Sequence, residues 1–274
     1  MPITLGAGSS SAAGLRRRFR GAEPKRNRNG LMLEGLFSAA AGMSAQQQQL
    51  DAISNDLANV NTNGYQSQRV AFNDLLYNDV NIAGSQSTDG AGANAEFVGR
   101  SQAQGALRET GQPLDVAIEG RGYIQVTLPG GQTALTRDGA LGVDASGTIV
   151  NSQGHRLSPP IKLPAGVSPS ELSISADGTV TAHGRTLGQI KLVTVTSPGH
   201  LVSLGGNLFG TTKDSGEPHA ASGARLLQGG LEQSNVDMGT DMATMVSTQR
   251  AFQMDSSAIQ LENQMMTIAN QLRA

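Results

Sequence analysis

The sequence predicts an α+β fold: long N- and C-terminal helices pair in a coiled-coil-like bundle and flank a central, antiparallel all-β domain. Apolar residues recur in steps of three and four near both ends of the chain, a spacing that forms one seam of a helix. The middle instead has strand-like alternation interrupted by glycine turns. Only 38% of residues are hydrophobic and 3% aromatic. This composition favours thin β layers and contacts between chains over one deep core.

The first segment, residues 1–31, is strongly basic, with seven Lys or Arg side chains against one Glu. A basic arm can bind nucleic acid or anionic lipid. Here no aromatic residues interleave the arginines and no helical period organises them, so we expect a disordered leader. No apolar stretch follows the basic run, which argues against a cleaved signal peptide. Met32 stands just before the helical pattern, and we expect it to be the true start.

The second segment, residues 32–77, is predicted to be the N-terminal helical part of the bundle, with its first helix from about Leu33 to Val60. A second amphipathic piece is expected to reach Tyr77. Steps of three and four place four residues on the packing seam of the first helix: Leu36, Met43, Leu50 and Leu57. Residues that tolerate the left-handed conformation then predict a tight helix exit: Asn59, Asn61, Asn63 and Gly64.

Residues 78–104 are predicted to be an extended connector, because they are rich in Gly, Ser, Asn and Ala. Residues 105–229 follow as the central β domain, a small antiparallel barrel or sandwich. Within it, Ile124 and Val126 alternate with polar residues, which predicts a half-buried strand. One hairpin is predicted with Leu172 and Ile174 facing Val180 and Ala182 across the turn at Asp177-Gly178.

Residues 230–274 complete the bundle, with a helix from about Asp237 to Leu272 that carries two apolar seams. The first seam contains Met245, Phe252, Ile259 and Met266. The second contains Met254, Ala258, Leu261, Met265, Ile268 and Leu272. Together they form a face broader than one partner helix needs. We expect one seam to receive the N-terminal helix of the same chain and the other a neighbouring chain; the alternative is a simple intramolecular helical hairpin.

The sequence predicts no catalytic residue, no cofactor and no metal site. The chain has no cysteines and only four, widely spaced histidines, which excludes thiolate chemistry and disfavours a histidine metal cluster. Ser203 lies in a weak nucleophile-elbow pattern, but Leu201 stands where the first Gly belongs. An enzyme that uses Ser203 therefore ranks last among the hypotheses. Apolar runs are far shorter than the roughly 20 residues of a membrane helix.

Motifs at both ends and in the middle resemble one family. Leu36 to Met43 (LFSAAAGM) and Leu57 to Tyr65 (LANVNTNGY) closely resemble the N-terminal signature of bacterial flagellar rod and hook proteins. Pro113 to Gly120 (PLDVAIEG) and Thr136 to Gly139 (TRDG) are similar to their central motifs. The C-terminal signature is resembled by SNVD at 234–237 and QRAF at 249–252. These pieces occur in the family's order from Met32 to the C-terminus.

The resemblance implies a non-enzymatic axial protein of the flagellar basal body in the cell envelope, exported without a cleaved signal by the flagellar type III apparatus. Terminal helices would line a hollow tube and the β domain would form an outer layer. The implied partners are further copies in an open helical assembly, other axial proteins (proximal rod and hook) and the ring proteins around the rod. Length and the Leu75-Leu76-Tyr77 stretch most resemble the distal rod protein. A proximal rod or hook-type protein is the alternative, and an extracellular adhesin or scaffold module is a further one.

Overall fold

The computed structural model describes residues 28–74, 78–82, 85–89 and 92–272. Two long helices, α1 (Arg28–Ala58) and α2 (Met238–Gln271), stand at the two ends of this part of the chain. Between them lies a β-rich region whose strand pairs are antiparallel. The α+β class predicted from the sequence is therefore confirmed. Neither described helix is long and apolar enough to cross a membrane.

Helix α1 begins a few residues before the predicted Leu33 and ends two residues before the predicted Val60. It ends because the chain turns at Asn59, whose side-chain Nδ2 donates to the Asn55 carbonyl oxygen at 2.8 Å. This local side-chain bond competes with the continuing helix. Of the leader expected at 1–31, residues 1–27 lie outside the described residues. The last four, Arg28 to Leu31, form the first turn of α1.

Helix α2 starts one residue after Asp237, the residue predicted to begin it. The Asp237 carboxylate accepts hydrogen bonds from the N–H groups of Gly239 and Thr240 at 3.0 and 3.2 Å. It thereby caps two donors that have no partner within the helix. These hydrogen bonds lower the pKa of Asp237. The helix ends at Gln271, close to the predicted Leu272.

The segment after the helix exit differs from the prediction. Strand β1 (Gln68–Asp74) replaces the helical piece expected to reach residue 77, and it pairs with β4 (Ala93–Arg100) inside the expected connector. Val70 lies opposite Phe97, and such β-branched and aromatic pairs favour strands. Strands β2 (Asn78–Ile82) and β3 (Ser85–Asp89) pair with each other. The Leu75-Leu76-Tyr77 stretch lies outside the described residues.

The central region contains sixteen further short strands in the described chain, together with two short 3₁₀ turns. The strands are β5 (Leu107–Glu109), β6 (Val116–Glu119), β7 (Tyr123–Thr127), β8 (Thr133–Thr136), β9 (Leu141–Val143), β10 (Ile149–Asn151), β11 (Arg156–Leu157), β12 (Leu172–Ile174), β13 (Thr179–Ala182), β14 (Arg185–Gln189), β15 (Leu192–Thr194), β16 (Val202–Gly205), β17 (Leu208–Gly210), β18 (His219–Ala220), β19 (Arg225–Gln228) and β20 (Gly230–Glu232).

The largest sheet has nine strands, in the order β16-β17-β8-β7-β11-β10-β9, with β15 joining β7 to β18. Strand β7 is the predicted half-buried strand: Ile124 and Val126 are buried, while Gln125 and Thr127 between and beside them are partly exposed. Strands β12 and β13 form the predicted hairpin, with Leu172 opposite Ala182. Both predictions are confirmed. Apolar residues of this sheet and of the β12–β13–β14 sheet share one core.

Candidate assembly interface

Helices α1 and α2 lie side by side and run antiparallel. Gln46 Nε2 on α1 donates to Asp255 Oδ2 on α2 at 3.0 Å. A Cβ added to Gly42 would lie 3.3 Å from Asp255 Oδ2, and one added to Gly35 would lie 2.6 Å from Glu262 Oε1. Moving from Gly42 to Gly35 on α1 therefore moves the contact from Asp255 to Glu262 on α2, which is the register of antiparallel helices. The missing side chains of the two glycines leave room for the acidic side chains of α2.

The eight predicted packing residues are all half-buried within the single chain: Leu36, Met43, Leu50, Leu57, Met245, Phe252, Ile259 and Met266. Among the side chains of α1 that the structure describes, the buried ones are others, namely Ala45, Ala52, Ile53 and Asp56. Hydropathy alone did not identify them, because most are small or polar. Ala45 and Ala52 are seven residues apart, as are Gly35 and Gly42. This repeat of small residues is the sequence signal that could have identified the buried face of α1.

The second seam of α2 is exposed. Met254, Leu261, Met265 and Ile268 are between 44% and 67% exposed. On an ideal helix they lie about 140–180° around the axis from Phe252, on the side away from α1. Nothing in the described part of the chain covers this face. An apolar stripe of this length is typical of a surface that contacts another molecule.

The helix exit is held against the central region by backbone contacts. Gly64 has a φ of +64°, in the left-handed region that favours glycine. A Cβ on Gly64 would lie 2.6 Å from the Arg137 carbonyl carbon and oxygen. The Gly64 N–H donates to the Glu232 carbonyl oxygen at 2.7 Å, and Asn207 Nδ2 donates to the Asn63 carbonyl oxygen at 2.7 Å. No side chain larger than hydrogen fits at Gly64 without moving the β domain.

A buried ion pair lies directly behind this turn. Arg137 Nη2 is 2.7 Å from Glu232 Oε2, and the two side chains are only 2% and 3% exposed. Arg137 also donates to the carbonyl oxygens of Gly120 and Gly122, at 3.1 and 3.2 Å. The other Glu232 oxygen accepts the Gly105 N–H at 3.1 Å. Both charges are therefore paired and hydrogen-bonded, which is the condition for burying them at acceptable cost.

Gly64, Arg137 and Glu232 together form what we call the junction. A second set of polar contacts joins α1 to it. The buried Asp56 carboxylate accepts the Gln68 N–H at 3.0 Å and lies 2.8 Å from the Tyr65 hydroxyl. Burial raises the pKa of Asp56, and burial together with this carboxylate raises the pKa of Tyr65. The Arg100 guanidinium is 5.6 Å from the centre of the Tyr65 ring and 5.1 Å from that of Phe209. These cation–π distances tie the helix exit to the large sheet.

Asn235 fastens the chain just before α2 to the other side of the junction. Its Oδ1 accepts the Ser67 N–H at 2.7 Å, and its Nδ2 donates to the Ala103 carbonyl oxygen at 2.7 Å. Its own N–H donates to the Tyr65 carbonyl oxygen at 3.2 Å. The Asn235 side chain therefore contacts the segments before β1 and after β4. The two ends of the described chain are thus joined through one residue.

Ser203 shows no catalytic surroundings among the described residues. It is exposed on the edge strand β16 and lines a polar cavity of about 380 Å³ beside the helix exit. Asn59, Arg100, Asp138 and Asn207 also line this cavity, and its lining includes no histidine. No group of three or more potential metal ligands occurs in the described part of the chain.

Three family models match the chain in order. "Flagella basal body rod protein" matches residues 36–66, "Flagellar hook protein FlgE/F/G D1 domain" matches 117–182, and "Flagellar basal body rod FlgEFG protein C-terminal" matches 227–272. Each matched segment contributes one member of the junction: Gly64, Arg137 and Glu232 respectively. The three matched segments are therefore consecutive in the sequence and also contact one another at the junction.

Whole-length relatives carry the same description. The chain is 38% identical over 263 residues to "Flagellar basal-body rod protein FlgG" of Borreliella burgdorferi, covering 88% of this chain and 99% of the relative. It is 37% identical to the protein of the same description from Caulobacter vibrioides, covering 88% and 100%. A FlgF protein of Mesorhizobium japonicum is 29% identical over 229 residues, covering 81% and 90%. This chain therefore belongs to the family of flagellar basal-body rod proteins.

Proposed function

We propose that this chain polymerises with copies of itself into the distal part of the flagellar rod, a stiff hollow shaft that transmits torque from the motor to the hook. As a member of the rod family, the chain is a structural flagellar subunit. The finer assignment to the distal rod is supported by FlgG relatives at 33–38% identity against 29% for the FlgF relative. The proximal rod remains the second candidate on the strength of that FlgF likeness.

The observation that carries the proposal is the uncovered second seam of α2. Within one chain, α1 occupies one side of α2 through Gly35, Gly42 and Gln46. The opposite side, from Met254 to Ile268, is apolar and exposed. In the proposed rod, the α1–α2 pair acts as a coiled-coil-like unit and neighbouring copies cover this second face. Head-to-tail contacts that do not close into a ring generate an open helical assembly.

The remaining features of the proposal concern setting and partners. The subunit acts mechanically and without catalysis in the cell envelope, reaches it through the flagellar type III export apparatus without a cleaved signal, and meets proximal rod, hook and ring proteins there. The junction around Arg137 supports a mechanical role, because its buried contacts fix the β domain relative to the helices. A fixed angle within each subunit is what a stiff shaft requires.

The test is complementation of a strain that lacks the gene. The full chain should restore rods that carry hooks, whereas a chain truncated after Ser234, which lacks α2, should not. Export should be measured for both chains, so that a secretion defect is distinguished from an assembly defect. Motility supported by the truncated chain would contradict the proposal. A stable monomer or closed oligomer with no dependence on flagellar export would instead support the adhesin or scaffold alternative.

A further inference from the structure

One cation lies within the exposed face of α2. Arg250 is exposed and stands one helical turn from both Val246 and Met254. Those two apolar side chains are 48% and 67% exposed. Arg250 is the only Lys or Arg among the described side chains of the two helices. No ion pair forms at it within the described part of the chain. Any molecule that covers this apolar face must therefore also accommodate a positive charge.

One carboxylate lies on the outward face of α1. Asp51 follows Gly42 by nine residues, about two and a half turns, so it points away from α2. It is exposed, and Gln47 Nε2 donates to it at 2.9 Å from the preceding turn. The other acidic groups described on the helices differ: Asp56 is buried, while Asp241, Asp255 and Glu262 are partly buried on the side of α2 that faces α1. Asp51 is thus the described helical carboxylate that is free to meet another molecule.

The surroundings of Asp51 suit an apolar partner that carries one cation. Its neighbours on the outward face of α1, Ala40, Gln47 and Ser54, are exposed and small or polar. Such side chains around Asp51 allow a second helix to approach closely, and Phe37, two heptads away on the same face, is 67% exposed and adds an apolar contact. Burying Arg250 without a counter-charge would be costly, and a carboxylate at the same position offsets part of that cost. The outward faces of α1 and α2 therefore each combine exposed apolar surface with one charge, and the two charges are opposite in sign.

We propose that the outward face of α1 in one copy packs on the outward face of α2 in the next, with Asp51 and Arg250 forming an ion pair between copies. This rests on the proposed rod function and names the contact that builds the assembly. A pair of copies then retains an unused Arg250 on one copy and an unused Asp51 on the other. The contact is heterologous, so copies can be added without limit provided that the operation relating them does not close a ring.

The register within the chain also gives the offset between copies. The pairing of Gly35 with Glu262 and of Gly42 with Asp255 places Asp51 level with Val246. An ion pair instead brings Asp51 level with Arg250 of the adjacent copy, four residues further along α2. At a rise of about 1.5 Å per residue, each copy is displaced by roughly 6 Å along the helix axis. A constant displacement of this kind builds a helix of subunits and not a flat ring.

A charge exchange in the full chain tests the pair. Asp51→Arg or Arg250→Asp, expressed in the strain that lacks the gene, should reduce the number of completed rods roughly tenfold or more, because each places like charges together. The double variant should restore rods to within roughly threefold of the unchanged chain. Arg185→Asp, which makes the same charge change on an exposed strand, is the matched control and should assemble normally. Normal assembly of both single variants, or a double variant as defective as they are, would overturn the proposal.

Cross-linking provides an independent measurement, because the chain has no cysteines. Ser54 and Ser247 are exposed and lie one turn from Asp51 and Arg250, and the proposed offset places them level with each other. Ser54→Cys and Ser247→Cys in separate copies should give dimers with a short bismaleimide, and both in one chain should give a ladder. Ser170→Cys in place of Ser247→Cys should give neither. Rods that form without these adducts would refute this contact while leaving the rod function intact; absence of rods from the unchanged chain would refute the function itself.

Discussion

Replacing Arg137 with Met removes the cation of the buried pair while keeping a side chain of similar length. The Glu232 carboxylate, which is 3% exposed, would then keep the Gly105 N–H at 3.1 Å but lose its counter-ion. Two carbonyl oxygens, those of Gly120 and Gly122, would lose their donor as well. Breaking a buried pair in this way costs about 3–5 kcal/mol. That is a large part of the roughly 5–15 kcal/mol by which a domain is stable.

Urea unfolding of the purified full chain, followed by far-UV circular dichroism, measures this loss. Arg156→Met is the matched control: its guanidinium is 3.7 Å from Asp144 and its side chain is 61% exposed, so we expect little or no change in stability. The double variant Arg137→Met with Glu232→Met should recover much of the loss, because no charge then remains buried. A cost for Arg137→Met no larger than that of the control would refute the role given to this pair.

Three further predictions concern the junction, the seam and the cap. Gly64→Val should destabilise the chain by roughly 1–3 kcal/mol from its left-handed backbone alone, and the clash with Arg137 should add to this loss. Gly111→Val is the control for backbone strain, because a Cβ at Gly111 meets open space. Equal urea midpoints for the two variants would contradict the clash. Phe252→Ala should reduce completed rods in cells, and intact rods would show that the predicted seam is wrong. Hydrogen bonds lower the pKa of Asp237 in the folded chain. The stability that its carboxylate gives α2 is therefore present above the ordinary carboxyl pKa and is lost as pH falls through the lower, folded-state pKa. Helix content measured by circular dichroism should show this loss in the unchanged chain and not in Asp237→Asn.

Local patterns predicted the local structure well. The alternation around Ile124 and the turn at Asp177-Gly178 each contain their own information, and the structure has the strand and hairpin they indicate. The Asp237 cap likewise follows from side-chain chemistry within three residues. In these cases, the groups that stabilise the element are neighbours in sequence.

The differences arise where distant segments decide the outcome. Residues 68–74 were predicted as part of a helical region, but pairing with residues 93–100 makes them a strand. The side of α1 that meets α2 is marked by glycine and alanine, which a search for large apolar residues overlooks. The partners in the Arg137–Glu232 pair are 95 positions apart. No local pattern specifies such a contact, although Arg137 lies in the TRDG motif through which the sequence resembles the rod family.

We expect this chain to be an axial subunit of the flagellar rod. Electron cryotomography of cells in which the gene is deleted tests it most directly, because the rod can be seen in the intact envelope. We expect truncated rods without hooks, with a stub whose length marks the distal position, and full-length rods when the unchanged chain is supplied again. Intact flagella in the deletion strain would contradict the claim.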